Sequence, residues 1–227
     1  MSYDFALDMD GNNSNSVILR NIKPQTKIFE FGCAHGRMTK YLKQELKCHV
    51  TISEIDTIPG QSALQFADEF FVGPVDGDLT RNNFPWENPN YEYVIFADVL
   101  EHLFQPAQYL QQAKSLLNST GSIWISIPNI AHNAVLIDLW NGKFTYREHG
   151  LLDNTHITFF TRESLEKMVN DCGLEIVSKH DLPNQVECTE FGNSYTDVPN
   201  YIGEFMKCRP DGEIYQFVWE LKPKSES

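Results

Sequence analysis

Acidic residues at the ends of predicted strands are the first candidates for chemistry in this chain of 227 residues. Glu54 follows the strand predicted at residues 48–53, and Asp98 follows the strand predicted at residues 91–97. The carboxyl ends of parallel strands form the edge of an open α/β sheet where ligands bind. A carboxylate at the tip of the second strand, about 20 residues past a glycine turn, can accept hydrogen bonds from both ribose hydroxyls of a nucleoside. The pattern therefore predicts a nucleoside-containing ligand.

The glycine turn lies just before these residues. An apolar run at residues 28–31 leads into Gly32 and Gly36, and helical periodicity follows. Strand, turn and helix in this order present backbone N–H groups and a helix N-terminus to a ligand. Ala34 replaces the second glycine of a dinucleotide fingerprint, which counts against a nicotinamide oxidoreductase. The acidic Glu30 inside the strand suits a ligand with positive charge near the turn.

Four segments in order resemble the successive motifs of class I S-adenosylmethionine-dependent methyltransferases. They are residues 29–37 (Phe-Glu-Phe-Gly-Cys-Ala-His-Gly-Arg), Glu54, residues 77–79 (Gly-Asp-Leu) and residues 97–103 (Ala-Asp-Val-Leu-Glu-His-Leu). Residues 152–165 resemble a segment of small-molecule members, among them polysaccharide, natural-product and, more distantly, ubiquinone-pathway enzymes. His35 departs from the pattern, because many members carry glycine or another small residue there.

The resemblance implies S-adenosylmethionine as the methyl donor and gives the motif residues roles in binding it. Glu30 would lie near the methionine ammonium, and Glu54 would hold the ribose hydroxyls. Asp78 would accept from the adenine amino group, Leu79 would pack on the ring, and Asp98 would touch the ligand or orient a loop. The expected cofactor residues are Glu30, Gly32, Cys33, Ala34, Gly36, Glu54, Ile55, Asp78, Leu79 and Asp98.

Structural alternatives remain for several of these roles. Glu30 could be a strand residue paired with Arg37 or with nearby backbone, and Glu54 could be an exposed surface glutamate. Asp78 could stabilise a turn, as aspartate commonly does. Cys33 could be only a small residue beside the glycine.

Histidines are the candidates for chemistry on the methyl acceptor, because a hydroxyl acceptor needs a base that works near neutral pH. His156 is the first candidate, since similar proteins place a histidine of this segment near the acceptor, and His149 and His102 follow. His156 could instead tie the insertion at residues 129–161 to the core, and Glu101 and His102 could cap a helix. This insertion is expected to cover the acceptor site as a lid. Its aromatic candidates for an acceptor wall are Trp140, Phe144, Tyr146, Phe159 and Phe160, with ordinary core packing as the favoured alternative for Phe159 and Phe160.

Alternating strand and helix signals predict an α/β fold of one domain, residues 1–227. We expect a Rossmann-like, mostly parallel sheet of seven strands with an antiparallel last strand and helices on both faces. Residues 1–15 are polar and expected to be loose, and residues 182–212 are expected to be a polar connection that holds Phe205 and Met206. Residues 17–21 are expected to start a helix or to form part of a lid. Further helices are expected at residues 106–118 and 161–172, and the last three strands at residues 122–127, 174–180 and 214–221.

Net charge and cysteine spacing argue against several classes of binding partner. The net charge of −13 argues against nucleic acid and anionic membranes. Cysteine spacing indicates neither a disulfide framework nor a zinc site, so no metal is expected and a cytoplasmic location is favoured. The expected activity is methyl transfer to a small molecule, foremost to a sugar or phenol hydroxyl. Methylation of a small amine, a non-catalytic binding module and a homodimer stay open.

Overall fold

An eight-stranded sheet forms the centre of the computed structural model, which describes residues 7–54, 57–72 and 90–225. The strand order is β3-β2-β1-β4-β5-β8-β6, with β7 paired to β8. The strands are β1 (Lys27–Phe31), β2 (His49–Glu54), β3 (Glu69–Val72), β4 (Tyr91–Ala97), β5 (Leu117–Pro128), β6 (Leu174–Lys179), β7 (Leu182–Pro183) and β8 (Ile214–Pro223).

Strands β1 to β5 pair in parallel, whereas β8 runs antiparallel to β5, β6 and β7. This confirms the α/β prediction of a mostly parallel sheet with an antiparallel last strand. The two-residue strand β7 is the addition to the seven strands that were expected. Because β8 is antiparallel, its first residues lie beside the carboxyl end of β5, where Gln216 pairs with Pro128.

Helices cover both faces of the sheet, as alternation in the sequence predicts. Phe29 and Phe31 of β1 face a cluster with residues of α4 and α6, whereas Ile28 faces a cluster with residues of α1 and α2. Successive strand residues point to opposite faces, so one strand serves both clusters. The helices are α1 (Ser14–Asn21), α2 (Arg37–Gln44), α3 (Thr57–Ala63), α4 (Pro106–Leu116), α5 (Asn133–Trp140), α6 (Arg162–Asp171) and α7 (Asn200–Lys207).

Helix α6 begins and ends as predicted. The Thr161 hydroxyl accepts from the Ser164 backbone N–H, and the Ser164 hydroxyl accepts from the Thr161 backbone N–H, so both form a capping box. Gly173 follows the helix with φ of +69°. The longest helix of the described chain, α4, has 11 residues, so none there reaches the length needed to cross a membrane.

The expectation of a loose N-terminal segment is wrong for its last residues. Asn13 caps α1, because its side chain accepts from the Ser16 backbone N–H at 2.9 Å. Ser14 and Asn15 are buried. Polar caps are selected for helix starts, so the polarity of this stretch marks a helix boundary here.

The polar connection expected at residues 182–212, around Phe205 and Met206, contains a helix and further buried apolar residues. This segment contains α7, and its Val186, Val198 and Met206 pack against Val135 in a third hydrophobic cluster. The insertion at residues 129–161 and this connection therefore support each other. The cluster comprises Ala134, Val135, Ile137, Leu151, Leu152, Val186, Phe191, Val198 and Met206.

Candidate active site

A cavity of about 640 Å³ lies at the carboxyl edge of the sheet. Its volume is within the range of about 300–1,000 Å³ that is typical of small-molecule sites. The turn after β1, the ends of β2 and β4, residues 150–156 and the first residues of β8 all contribute to it. The sequence-predicted residues that line it are Glu30, Gly32, Cys33, Ala34, Glu54, Asp98, His102 and His156.

Other predicted residues lie elsewhere. Gly36 is not among the described lining residues, and a Cβ there would come within 2.7 Å of the Ala63 backbone, so this glycine serves the packing of α2 on α3. His149 is exposed and is not among the lining residues either. Ile55, Asp78 and Leu79 lie outside the described residues.

Left-handed backbone shapes the turn after β1. Gly32 has φ of +64°, and a Cβ there would meet Val99 at 2.6 Å. Ala34 has φ of +46°, a conformation that costs a residue with a side chain about 1–2 kcal/mol. The Ala34 N–H donates to Glu54 Oε2 at 2.8 Å. The carboxylate at the tip of β2 therefore holds the turn of β1 in its strained shape.

Glu30 is buried at the floor of the cavity. The Thr39 hydroxyl donates to its Oε2 at 2.7 Å, so the partner is Thr39 rather than backbone. Burial raises the pKa of Glu30 to about 7, although the Thr39 hydrogen bond and the charge of Arg37 lower it in part. A positively charged group beside it would favour the ionised carboxylate. The same burial raises the pKa of the Cys33 thiol, which therefore stays protonated.

Asp98 connects four elements at the edge of the cavity. Its Oδ1 accepts from the Ser126 hydroxyl at 2.7 Å and from the Gln216 side chain, and its Oδ2 accepts from the Ser14 hydroxyl at 3.5 Å. Burial raises the pKa of Asp98, and the Ser126 hydrogen bond opposes that rise. Asp98 itself has φ of +57°. These contacts favour the loop-orienting role among its sequence-based alternatives.

Glu101, His102 and His156 meet in the lining of the same cavity. Glu101 Oε1 lies 4.0 Å from His156 Nε2, and the two imidazole rings lie 4.8 Å apart. Neither Glu101 nor His102 caps the next helix, because α4 has Gln105 at its N-cap. That alternative is therefore wrong.

Hydrogen bonds orient both imidazoles. His102 Nδ1 lies 3.1 Å from the Thr155 carbonyl oxygen, and His156 Nδ1 lies 3.4 Å from the Leu151 carbonyl oxygen. A carbonyl oxygen only accepts, so each Nδ1 carries hydrogen and Nε2 is the ring nitrogen left for other contacts. Burial, with the neighbouring His102, lowers the pKa of His156 to about 4.

The carboxylate of Glu101 is buried without a hydrogen-bond partner among the described residues. Only 2% of the residue is exposed. Burial and the nearby Asp98 raise its pKa well above the usual value. Leaving a buried polar group without a partner costs about 1–3 kcal/mol, so such a group calls for a functional explanation.

Several lining residues were not predicted. Tyr215 and Gln216 come from the start of β8, and Asn15 comes from α1. The antiparallel direction of the last strand was the available signal for Tyr215 and Gln216, because it brings the first residues of that strand to the carboxyl edge. No sequence pattern pointed to Asn15 as a cavity residue, because it lies in a segment that was expected to be loose. The remaining unpredicted lining residues include Arg37, Met38, Ala97, Val99, Leu103, Pro128, Gly150, Asp153 and Thr155.

The aromatic residues of the insertion do not form the expected acceptor wall. Trp140, Phe144 and Tyr146 are exposed and are not among the described lining residues. Phe160 is buried in the core cluster between the sheet and α4 and α6, and Phe159 packs against the third cluster. Both therefore have the core-packing role that was the alternative for them.

The sheet order, the strained glycine turn and the acidic residues at the strand tips define a Rossmann-like α/β protein with a ligand site at its carboxyl edge. A family model described as a methyltransferase domain matches residues 14–179. The chain belongs to this family, the class I S-adenosylmethionine-dependent methyltransferases, and S-adenosylmethionine is the cofactor.

Relatives and solved structures are similar but distant. A glycine/sarcosine/dimethylglycine N-methyltransferase of Actinopolyspora halophila is 23% identical over 166 residues, which cover 71% of this chain and 28% of that protein. The chain thus matches little more than a quarter of that relative. A methyltransferase structure from Methanosarcina mazei has a TM-score of 0.61 at 14% identity, covering 92% of this chain and 98% of the other. Magnesium protoporphyrin IX methyltransferase from Synechocystis, with bound S-adenosylhomocysteine, has a TM-score of 0.57 at 14% identity, covering 92% and 78%.

Proposed function

We propose that this protein transfers the methyl group of S-adenosylmethionine to a hydroxyl oxygen of a small molecule, foremost a sugar or a phenol. The observation that carries the proposal is one cavity lined by two chemically different sets of residues, which we call its first and second side. Glu30, Ala34 and Glu54 form one side, and His102 and His156 belong to the other. S-adenosylmethionine supplies a methyl group on a positively charged sulfur, which a lone pair of the acceptor displaces.

The first side fits the cofactor. The buried Glu30 is suited to the methionine ammonium, since its raised pKa falls when a cation approaches. Glu54 lies at the tip of β2, where a carboxylate can accept from ribose hydroxyls. The backbone of Gly32, Cys33 and Ala34 borders the same space. Ile55, Asp78 and Leu79 remain proposed contacts from the resemblance alone.

The second side is suited to the acceptor. His156 is neutral near pH 7 with its Nε2 lone pair available, so it can accept a hydrogen bond from an acceptor hydroxyl. Its low pKa makes it a weak base, which favours orientation of the hydroxyl over unaided proton removal. Residues 150–156 of the insertion border this side, which supports the proposed lid.

A methyl-transfer screen with labelled S-adenosylmethionine tests the proposal against sugars, phenols and small amines. We expect turnover with a hydroxyl acceptor. His156→Ala should retain affinity for S-adenosylhomocysteine and lose turnover by about 100-fold, the scale of general acid–base or orienting effects. His49→Gln is the control, because His49 is an exposed residue of β2. Full turnover by His156→Ala would refute its role at the acceptor.

N-methylation is the second candidate, because the curated relative named above methylates glycine nitrogen. An amine that is neutral when bound needs no base to remove a proton. Turnover confined to amines, with a mild effect of His156→Ala, would favour this alternative.

A further inference from the structure

We propose that Glu101, His102 and His156 bind one divalent transition-metal cation, which in turn binds the acceptor oxygen. The metal site stands on its own geometry, whereas its role toward the acceptor rests on the proposed methyl transfer. No metal was expected from the sequence, because its cysteines lack metal-binding spacing and His156 lies 54 positions after His102.

The donor geometry is the first support. One ligand atom from each of the three residues lies within 4.8 Å of the ligand atoms of the other two. Ligands bound at about 2.0–2.2 Å lie roughly 3–4 Å from each other, so small side-chain rotations close the set around an ion. Two imidazoles and one carboxylate form the donor set typical of Fe²⁺ sites with open positions, and imidazole also suits Zn²⁺.

The orientation of the imidazoles is the second support. Metal-bound histidines usually donate their other N–H to a carbonyl or carboxylate. His102 and His156 both have Nδ1 next to a carbonyl oxygen, on Thr155 and Leu151. The Leu151 N–H in turn donates to Glu190 Oε1 at 2.7 Å. The rings are thus held with Nε2 available before any ion binds.

The buried Glu101 is the third and independent support. Its carboxylate lines the cavity, is almost wholly buried and has no hydrogen-bond partner in the described part of the chain. The carboxylates of Asp98 and Asp153 line the same cavity, so the acidic groups of the described chain around this point number three. A bound divalent cation would offset much of their negative charge and give the Glu101 carboxylate a partner.

A cation here would also activate the acceptor. A hydroxyl that binds a divalent cation has a lowered pKa, so its proton leaves to water and the oxygen becomes the better nucleophile. His156 Nε2 then binds the cation rather than the hydroxyl itself, and it positions the acceptor through the cation. The open coordination positions are those that face the cavity.

Metal binding can be measured without turnover. EDTA-treated protein is titrated with Mn²⁺, and free Mn²⁺ is followed by electron paramagnetic resonance. We expect one equivalent bound per chain and competition by Zn²⁺ and Co²⁺. Glu101→Gln and His156→Gln should each weaken binding by at least about 10-fold, since even outer-shell changes typically cost 10- to 100-fold.

A matched control variant and a second measurement, the melting temperature, test whether the effect is specific to the proposed site. His49→Gln removes one half of an exposed His–Glu pair of similar spacing, 3.9 Å to Glu69, and should leave Mn²⁺ binding unchanged. Mn²⁺ should raise the melting temperature of the wild type but not that of Glu101→Gln.

The outcomes separate the metal site from the methyl-transfer proposal. Folded wild type that binds S-adenosylhomocysteine but none of the three ions would overturn the metal site and leave the proposed function intact. Equal Mn²⁺ affinity in wild type and Glu101→Gln would also overturn the site. Metal binding without affinity for S-adenosylhomocysteine would uphold the site and refute the proposed function.

Discussion

Glu30 links the charge of the expected ligand to the stability of the free protein. Its pKa is about 7 in the folded chain against 4.5 for an ordinary glutamate. Between these pH values the native state binds more protons than the unfolded state. The contribution of Glu30 to stability is therefore present below pH 4.5 and lost as pH rises through about 7.

We expect Glu30→Gln to be more favourable for stability at pH 8 than at pH 5. The free energy of unfolding of the variant, relative to the wild type, should rise by about 1–3 kcal/mol over that interval. Urea denaturation without ligand at both pH values measures the difference. Glu69→Gln, on the exposed edge strand β3, is the control. A pH-independent difference for Glu30→Gln would show that its carboxyl is ionised throughout. The same variant should bind S-adenosylhomocysteine more weakly, because it lacks the charge that pairs with the ammonium.

Glu54 carries a structural and a proposed binding function together. Its hydrogen bond to Ala34 N–H means that Glu54→Ala would disturb the turn as well as any ribose contact. Glu54→Gln keeps an acceptor for Ala34 and is the cleaner variant. The alternative of an exposed surface glutamate is wrong, because the residue is 7% exposed.

The contact between α2 and α3 depends on Gly36. A side chain there would meet the Ala63 backbone and would also have to adopt φ of +78°. Gly142 has a comparable φ of +70°, but a Cβ there would meet nothing within 4 Å. Substitutions at these two positions therefore distinguish the cost of backbone strain from the cost of steric conflict.

Gly36→Ala should lower the free energy of unfolding more than Gly142→Ala does. Strain alone costs about 1–2 kcal/mol, and the close approach adds to that for Gly36→Ala. Urea denaturation of the two variants and the wild type gives the comparison. Equal losses would show that α3 moves aside at little cost.

The last strand and the third hydrophobic cluster bring distant segments to the cavity. Strand β8 supplies Tyr215 and Gln216, and Gln216 reaches Asp98 across 118 positions of sequence. The Tyr215 hydroxyl donates to Glu190 Oε2 at 3.0 Å, and Glu190 also accepts from Leu151 N–H. The connection at residues 182–212 thus helps to hold the insertion that carries His156.

Ligand binding at this edge should stabilise the whole chain, since the cavity joins residues of α1, β1, β2, β4, β8 and the insertion. S-adenosylhomocysteine at 100 times its dissociation constant should add about 2.7 kcal/mol. Thermal unfolding with and without ligand, and calorimetry for affinity, measure this. Glu54→Gln should show a smaller shift at the same ligand concentration. A shift with NAD and none with S-adenosylhomocysteine would favour an oxidoreductase.

A homodimer stays a prediction, testable by light scattering of the same samples.

The sequence by itself determined the periodic and local features of this protein. Strand β1, the glycine turn and α2 follow from an apolar run, two glycines and a helical stripe, and Thr161 and Gly173 delimit α6 because capping depends on neighbouring residues. The strand-tip position of Glu54 followed in the same way, since parallel strands share one carboxyl edge.

Only the tertiary structure decided which distant residues meet. His149 and His156 are both histidines of the insertion, yet one is exposed and the other is buried beside Glu101. Burial also decided the pKa shifts of Glu30, Glu101 and His156, because desolvation depends on atoms from many segments. Local pattern does not encode such contacts, since they arise from the packing of β8 and the third cluster around the sheet edge.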